Sequence, residues 1–206
     1  MKAIVTELQA VGTAQWWLYA LQANFVWLEA NDIFQKTGYR NRYLIASANG
    51  VLTLSVPVAG GREVKQPYNQ VKIDNSQPWQ RNHWRTLVSC YNKSPFFFYY
   101  ADSLQPLYEQ EFNLLYEWNM AMHNWLVKKL RATNRYEPTT HYNKVAPPTV
   151  EDRRDKEKPG SRLYSSIHFP TYQQVFPGLF QPNLSCFDVL FNLGNKSNEY
   201  LQSVQA

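Results

Sequence analysis

Lys36, Tyr39, Arg40, Asn41 and Arg42 fall within seven positions, directly ahead of an apolar stretch that reads as a strand. Cations held at a strand start suit an anionic ligand, and each arginine offers a two-pronged fork to carboxylate or phosphate. The Tyr39 phenol and the Asn41 amide add donors and acceptors for a polyhydroxylated one. In an extended backbone Arg40 and Arg42 face one side and Asn41 the other, so the set meets one ligand only at a bulge or bend. The competing reading puts one arginine in a structural ion pair and leaves the rest solvated.

His83 shares a predicted helix face with Trp79, Leu87 and Cys90. An imidazole titrates near neutral pH, so His83 is the candidate general base. The plainer alternative is a histidine satisfied in the core or at the surface. Cys90 follows His83 by two helical turns, about 10 Å along one face, too far for a nucleophile and base pair. Cys186 follows Ser185 at a predicted helix start, where a thiolate is favoured, although a buried apolar cysteine is the commoner outcome. The four histidines show no HxxxH or HExxH spacing, so no metal is expected. No GxGxxG, Walker or GxSxG motif is present, Gly60-Gly61 being only a weak cradle, and no cofactor is expected.

At 206 residues the chain is long enough to bury roughly 70% of its unfolded surface without a disulfide or metal. Charged residues are 18% and hydrophobic ones 44%, which argues against disorder. Aromatics reach 16%, so Tyr and Trp either build the core or offer flat faces to sugars and bases. The net charge of +5 is spread along the chain and does not call for nucleic acid, so none is expected as a partner. Two cysteines form no disulfide framework and fit a reducing compartment. Glu7 interrupts the apolar core that a signal peptide needs, and no run of about 20 apolar residues exists. A cytoplasmic protein without a membrane span is expected.

The elements that position these residues follow from local patterns. Ala3-Ile4-Val5 and Phe25 to Glu29 read as strands around a helix capped by Thr13, a βαβ-like unit. Tyr43–Ala46 and Val51–Val58 flank Asn49-Gly50, a strong hairpin signal. Val71–Asp74 alternates as a further strand, and Asn75 to Pro78 starts the His83 helix with a capping residue ahead of a proline. Leu104, Tyr108, Leu115, Trp118, Met122 and Trp125 recur near the helical period, so one long central helix is expected from Asp102 or Ser103 to about Arg131. The polar, proline-bearing stretch 133–158, including the EDRRDKEK run, reads as a loop or linker. Gly60-Gly61-Arg62 opens another polar loop, and Leu184–Leu193 reads as a helix closed by Gly194. The expectation is one α/β or α+β domain with a mixed sheet, formed by residues 1–132 and 159–206.

QKTGYRNRYLI, ANGVLTLSVPV, VKIDNSQPWQRNHWRTLVSCYNKSPFFFYYAD and PTYQQVFPGLFQPNLSCFDVLFNLG together resemble the WbqC-like protein family. The resemblance runs from about Gln9 to Leu201, with a gap at the 133–158 stretch. It carries over Lys36, Tyr39, Asn41 and Arg42, then Asp74, Trp79, His83, Tyr91 and Pro95, then Asn183, Ser185, Asp188 and Asn192. Members often carry a His-Gln-Pro segment after the first strand; here Leu8-Gln9-Ala10 stands there, lacking the histidine and proline. Asp188 lies in an apolar helix and must be paired or at a site edge, with Arg42 or Lys36 as natural partners.

The family's setting among surface-polysaccharide and O-antigen genes implies a transferase placing an acyl or aminoacyl group, such as glycyl, on a sugar precursor. In that reading Lys36 and Arg42 hold the anionic donor or the diphosphate of a nucleotide sugar, and His83 deprotonates the acceptor. Tyr39, Asn41, Tyr91 and Asp188 position the substrate, and Trp79 stacks on sugar or base. The alternative is a non-catalytic binding or scaffold subunit of the same pathway. Oligomeric state is left open by the residues.

Overall fold

A computed structural model of the chain describes residues 2–61, 65–158 and 167–204. Arg62 of the glycine-led loop, and residues 159–166 at the start of the expected C-terminal part, lie outside the described residues. Strand β1 (Ala3–Glu7), helix α1 (Ala14–Gln22) and strand β2 (Phe25–Glu29) form the expected βαβ unit. The two strands run parallel, in register from Ala3↔Phe25 to Glu7↔Glu29. Thr13 caps α1 as its residue type predicts, its Oγ1 accepting from the Trp16 backbone N–H at 3.1 Å.

Strands β3 (Arg42–Ser47) and β4 (Gly50–Ser55) make the predicted hairpin. Ala48 and Asn49 form its tip, and only Gly50 takes a positive φ, at 103°. Helix α2 (Trp79–Tyr91) buries its Trp79, His83, Leu87 and Cys90 stripe. Pro78 precedes it without a side-chain cap; Asn75 instead accepts from Trp79 Nε1 at 3.0 Å, tying the turn to the helix surface.

The single long central helix is replaced by three: α3 (Phe97–Leu104), α4 (Pro106–Glu109) and α5 (Leu115–Leu130). The physical cause is competition for backbone groups. Ile73 N–H donates to the Asn113 carbonyl and Leu115 N–H to the Val71 carbonyl, both at 2.9 Å, which pulls residues 113–115 out of helical geometry. For the same reason Val71–Asp74 forms isolated bridges, Lys72↔Leu114 and Ile73↔Val58, and no full strand.

The stretch 133–158 also departs from its reading as a loop, because it supplies β5 (Arg135–Pro138) and β6 (Val150–Asp152). With β1 and β2 they complete an all-parallel sheet in the order β5-β2-β1-β6. Edge strands tolerate charge and proline, so RYEP and VED carry no alternating signal that a sequence reading detects. The strands thus divide between a parallel sheet and a separate hairpin, within one α/β domain. Helix α6 (Cys186–Leu193) and helix α7 (Ser197–Ser203) pack with α1, and α6 also meets β3 of the hairpin. Trp17, Tyr43, Tyr68, Tyr91, Trp118, Phe187 and Phe191 are fully buried, so much of the aromatic content is core.

The loop from β1 to α1 turns at Gly12, with φ +77, and its carbonyl accepts from Cys186 N–H at 2.8 Å. A β-carbon on Gly12 would lie 2.5 Å from Nε1 of buried Trp17. Gly12→Ala is therefore expected to cost about 2–4 kcal/mol, from left-handed strain plus overpacking. A urea midpoint unchanged from wild type would show that the turn is freely deformable.

Candidate functional site

In an open parallel sheet, ligands bind beyond the carboxyl ends of the strands, where the chain reverses its direction of travel across the sheet. Here the chain moves from β1 out to β2 and β5, then returns to the far side of β1 as β6. The crevice therefore lies between the ends of β1 and β6. Glu7 closes β1, Gln9 and Thr13 follow it, Asp152 closes β6, and Arg153 to Glu157 follow that strand.

These groups form a buried polar cluster. Glu7 and Glu29 end adjacent strands in register and are 4% and 1% exposed. Glu29 is fully engaged: its Oε2 accepts from Arg154 Nη1 at 3.0 Å, and its Oε1 from Thr139 Oγ1 at 2.8 Å and Asn31 N–H at 3.0 Å. Arg154 also grips Asp152 through two nitrogens, at 3.0 and 2.6 Å. Glu7 accepts only a longer bond from Asp155 N–H, at 3.1 Å. Glu157 Oε2 accepts from Gln9 Nε2 at 3.2 Å and from Thr13 Oγ1 at 3.0 Å.

Four buried carboxylates, Glu7, Glu29, Asp32 and Glu157, thus stand against the guanidinium groups of Arg40, Arg153 and Arg154, whose side chains are 4%, 12% and 8% exposed. Burying unbalanced charge is costly, and the chain answers by holding protons. Burial pushes the Glu157 carboxyl up to about 7, with the Glu7 charge adding to it and the Thr13, Arg153 and Gln9 contacts pulling back. Burial also raises Glu7, while the nearby Arg40 lowers it. Arg40 pairs with Asp32 at 2.5 Å and stacks over the Tyr68 ring, 5.1 Å from its centroid. Burial opposes its charge, but Asp32 and Glu7 hold it protonated. The structural ion pair that the sequence offered as one alternative for this cationic run is thus realised at Arg40.

Helix α1 offers no anion site. Its first N–H groups are taken by the chain itself: Ala14 by the Leu184 carbonyl, Gln15 by Asn183 Oδ1 and Trp16 by Thr13 Oγ1. The surrounding charge is acidic as well, so this edge suits hydroxyl and ammonium groups better than phosphate. A pocket of about 210 Å³ opens on the sheet face beside it, over Val5, Trp27 and Val150, with Glu29, Arg154 and His141 among its walls.

The residues singled out from the sequence are distributed elsewhere. Lys36 and Arg42 meet through backbone, Arg42 Nη2 donating to the Lys36 carbonyl at 2.6 Å. Tyr39 and Asn41 are buried, Asn41 Nδ2 donating to the Val56 carbonyl at 3.0 Å. His83 is 7% exposed, packed edge-on against Trp79 and within 3.1 Å of Tyr43 Oη. Burial lowers it to about 4, so it is neutral at pH 7 but not poised near neutrality as its residue type suggests. Asp188 pairs with neither Arg42 nor Lys36. Its carboxylate accepts from Tyr91 at 2.9 Å, Tyr172 at 2.5 Å and Gln174 at 2.8 Å, three neutral donors that replace a cation. Tyr91 also accepts from Ala46 N–H at 3.0 Å, tying α6 to the hairpin. Cys90 and Cys186 are free and buried, and burial raises both thiols.

The cluster that does converge, Glu7, Gln9, Thr13, Glu29, Arg154 and Glu157, was passed over in the sequence. One local signal marks half of it: AIVTE and FVWLE both end an apolar strand in glutamate. Gln9, in the stretch that follows the first strand, reaches Glu157.

The WbqC-like protein family matches residues 18–156, and the chain belongs to that family. An uncharacterized protein of Mycobacterium tuberculosis is 25% identical over 197 residues, covering 82% of this chain and 84% of that one. No solved structure matches the chain. Among the described residues no helix is long and apolar enough to cross a membrane, and no three His, Cys, Asp or Glu side chains gather to hold a metal.

Glu157 couples stability to pH. In the unfolded chain it releases its proton near 4.5, and in the folded chain near 7. Its contribution is complete below 4.5 and is lost as pH rises through 7, a difference on the order of 3 kcal/mol. Glu157→Gln keeps a neutral side chain there and is expected to melt higher than wild type at about pH 8 and equally at about pH 4. Parallel melting curves for the two proteins across that range would assign the titration to another group.

Proposed function

We propose that the β1/β6 edge is the reaction centre of a transferase that moves an acyl or aminoacyl group onto an amine or hydroxyl of a sugar precursor. The observation that carries this reading is the Glu157 carboxyl, buried at the sheet's switch point and held near pH 7. A base is most effective when its pKa lies near the working pH. The acceptor nitrogen or oxygen forms the new bond to the acyl carbon and passes its proton to Glu157. The bond to the donor's leaving group breaks, and that group takes the proton from the same carboxyl. Glu7 and Glu29 favour an acceptor rich in hydroxyl or ammonium groups, and the apolar floor of Val5 and Trp27 fits the face of a sugar ring.

The family's setting among surface-polysaccharide genes supports a sugar precursor as acceptor. Burial leaves His83, the base suggested by residue type, only weakly basic, so this reading gives the proton-accepting role to Glu157. In this reading Lys36, Tyr39, Asn41 and Arg42 act on the site only through Arg40, their buried neighbour, which pairs with Asp32. A second reading, a binding or scaffold subunit without turnover, is favoured by one observation: Glu157 is 6% exposed and already accepts two hydrogen bonds.

Amino sugars, nucleotide sugars, acyl thioesters and amino acids form the panel, with ligands scored by thermal shift and products by mass spectrometry. Glu157→Gln is expected to keep binding and lose turnover by about 10²–10⁴-fold, whereas His83→Gln, assayed where it stays folded, retains it. Loss of turnover in His83→Gln alone would sink the assignment. Binding without product in wild type favours the scaffold reading.

A further inference from the structure

At the opposite edge of the parallel sheet lies a second cleft, of about 450 Å³, between the end of α5, the start of α3 and the turn after α6. Arg131 follows α5 and precedes β5, whose first residue pairs with Phe25 at the start of β2, so the cleft sits by the strands' amino ends. Glu7 and Glu157 lie at the carboxyl ends, across the sheet. The cleft is lined by Phe96, Tyr99, Tyr100, Lys128, Lys129 and Arg131, with no carboxylate among its walls. None of the three cations is in an ion pair among the described residues.

Two features separate this cleft from an ordinary solvated surface. Phe98 and Tyr99 are 67% and 75% exposed on adjoining positions, although aromatics of this chain are otherwise largely core. Arg131 occupies the left-handed region, with φ 53 and ψ 40, at a helix end where glycine or asparagine sits with less strain. Lys128 and Lys129 complement the α5 dipole by themselves, so the helix end does not require a strained arginine. Lys129 is further held over the Trp125 ring, 5.6 Å from its centroid.

We propose that this cleft binds a nucleoside diphosphate, with the phosphates on Lys128, Lys129 and Arg131 and the base stacked on Tyr99. Cations without counter-charges beside an exposed ring match an anion that carries a flat aromatic group. The cleft's volume fits one nucleotide and not a polymer. The site stands apart from the proposed reaction centre, and its ligand is a second partner of the molecule whether or not that centre turns over.

The test is calorimetry of the full chain at low salt with uridine diphosphate, adenosine diphosphate, inorganic pyrophosphate and a ten-nucleotide single-stranded RNA. Both nucleoside diphosphates are expected to bind, and Tyr99→Ala to weaken them at least about fivefold while leaving pyrophosphate unchanged. Arg131→Gly is expected to weaken all three small ligands while the melting temperature holds or rises, because glycine relieves the strained turn. Glu157→Gln should bind like wild type, which keeps this result independent of the sheet-edge reading. Pyrophosphate binding as tightly as the nucleoside diphosphates, an unaffected Arg131→Gly, RNA binding far more tightly than either nucleotide, or no binding at all would each overturn the proposal.

Discussion

Four carboxylates buried at one edge of a sheet, with fewer guanidinium groups to balance them, set the terms for the rest of this molecule. Glu29 is neutralised by Arg154, and Asp32 by Arg40. Glu7 and Glu157 have hydrogen bonds and only the more distant charges of Arg40 and Arg153, and burial raises both carboxyls. Every element near the edge serves that arrangement. The loop after β1 brings Gln9 and Thr13, α1 is capped by the same Thr13, and the segment after β6 brings Arg154 and also Glu157, which lies 148 positions beyond Gln9. A buried carboxylate with too few partners destabilises the fold, which is why burial raises both Glu7 and Glu157.

The hairpin and α6 solve a related problem by other means. Asp188 is wholly buried, and among the described residues three neutral donors and no cation meet its carboxylate. Burial raises its pKa, and the contacts from Tyr172, Gln174 and Tyr91 oppose that shift. Tyr91 passes the connection on to the Ala46 backbone, so the charge ties α2, α6 and β3 together. The two acidic centres differ in kind: Asp188 is satisfied from all sides, whereas Glu157 is held by a single oxygen.

Some of this was legible locally. Thr13 caps α1 because a hydroxyl ahead of an apolar helix takes up an orphan N–H. The stripe Trp79, His83, Leu87 and Cys90 is buried because helical spacing puts those residues on one face. Asn49-Gly50 located the hairpin, since glycine accepts the positive φ that the turn requires. The break at 105 was legible in Pro106, which lacks the N–H a continuing helix needs, but the break at 110–114 was not, because the apolar pattern continues in phase while residues 71–73 capture the backbone of 113–115.

The sequence by itself determined the local elements, the family and the largely aromatic core, all of which depend on residues a few positions apart or on type alone. Tertiary structure decided which polar groups meet. Arg135–Pro138 and Val150–Asp152 became strands through backbone pairing, which leaves no mark on side-chain order. Lys36, Tyr39, Asn41 and Arg42 are neighbours in sequence but turn apart where β3 begins. Glu7 and Glu157 are distant in sequence but close enough in the fold for one charge to raise the other's pKa. Charge in a buried site is settled by all the groups that surround it, and only the folded chain brings those together.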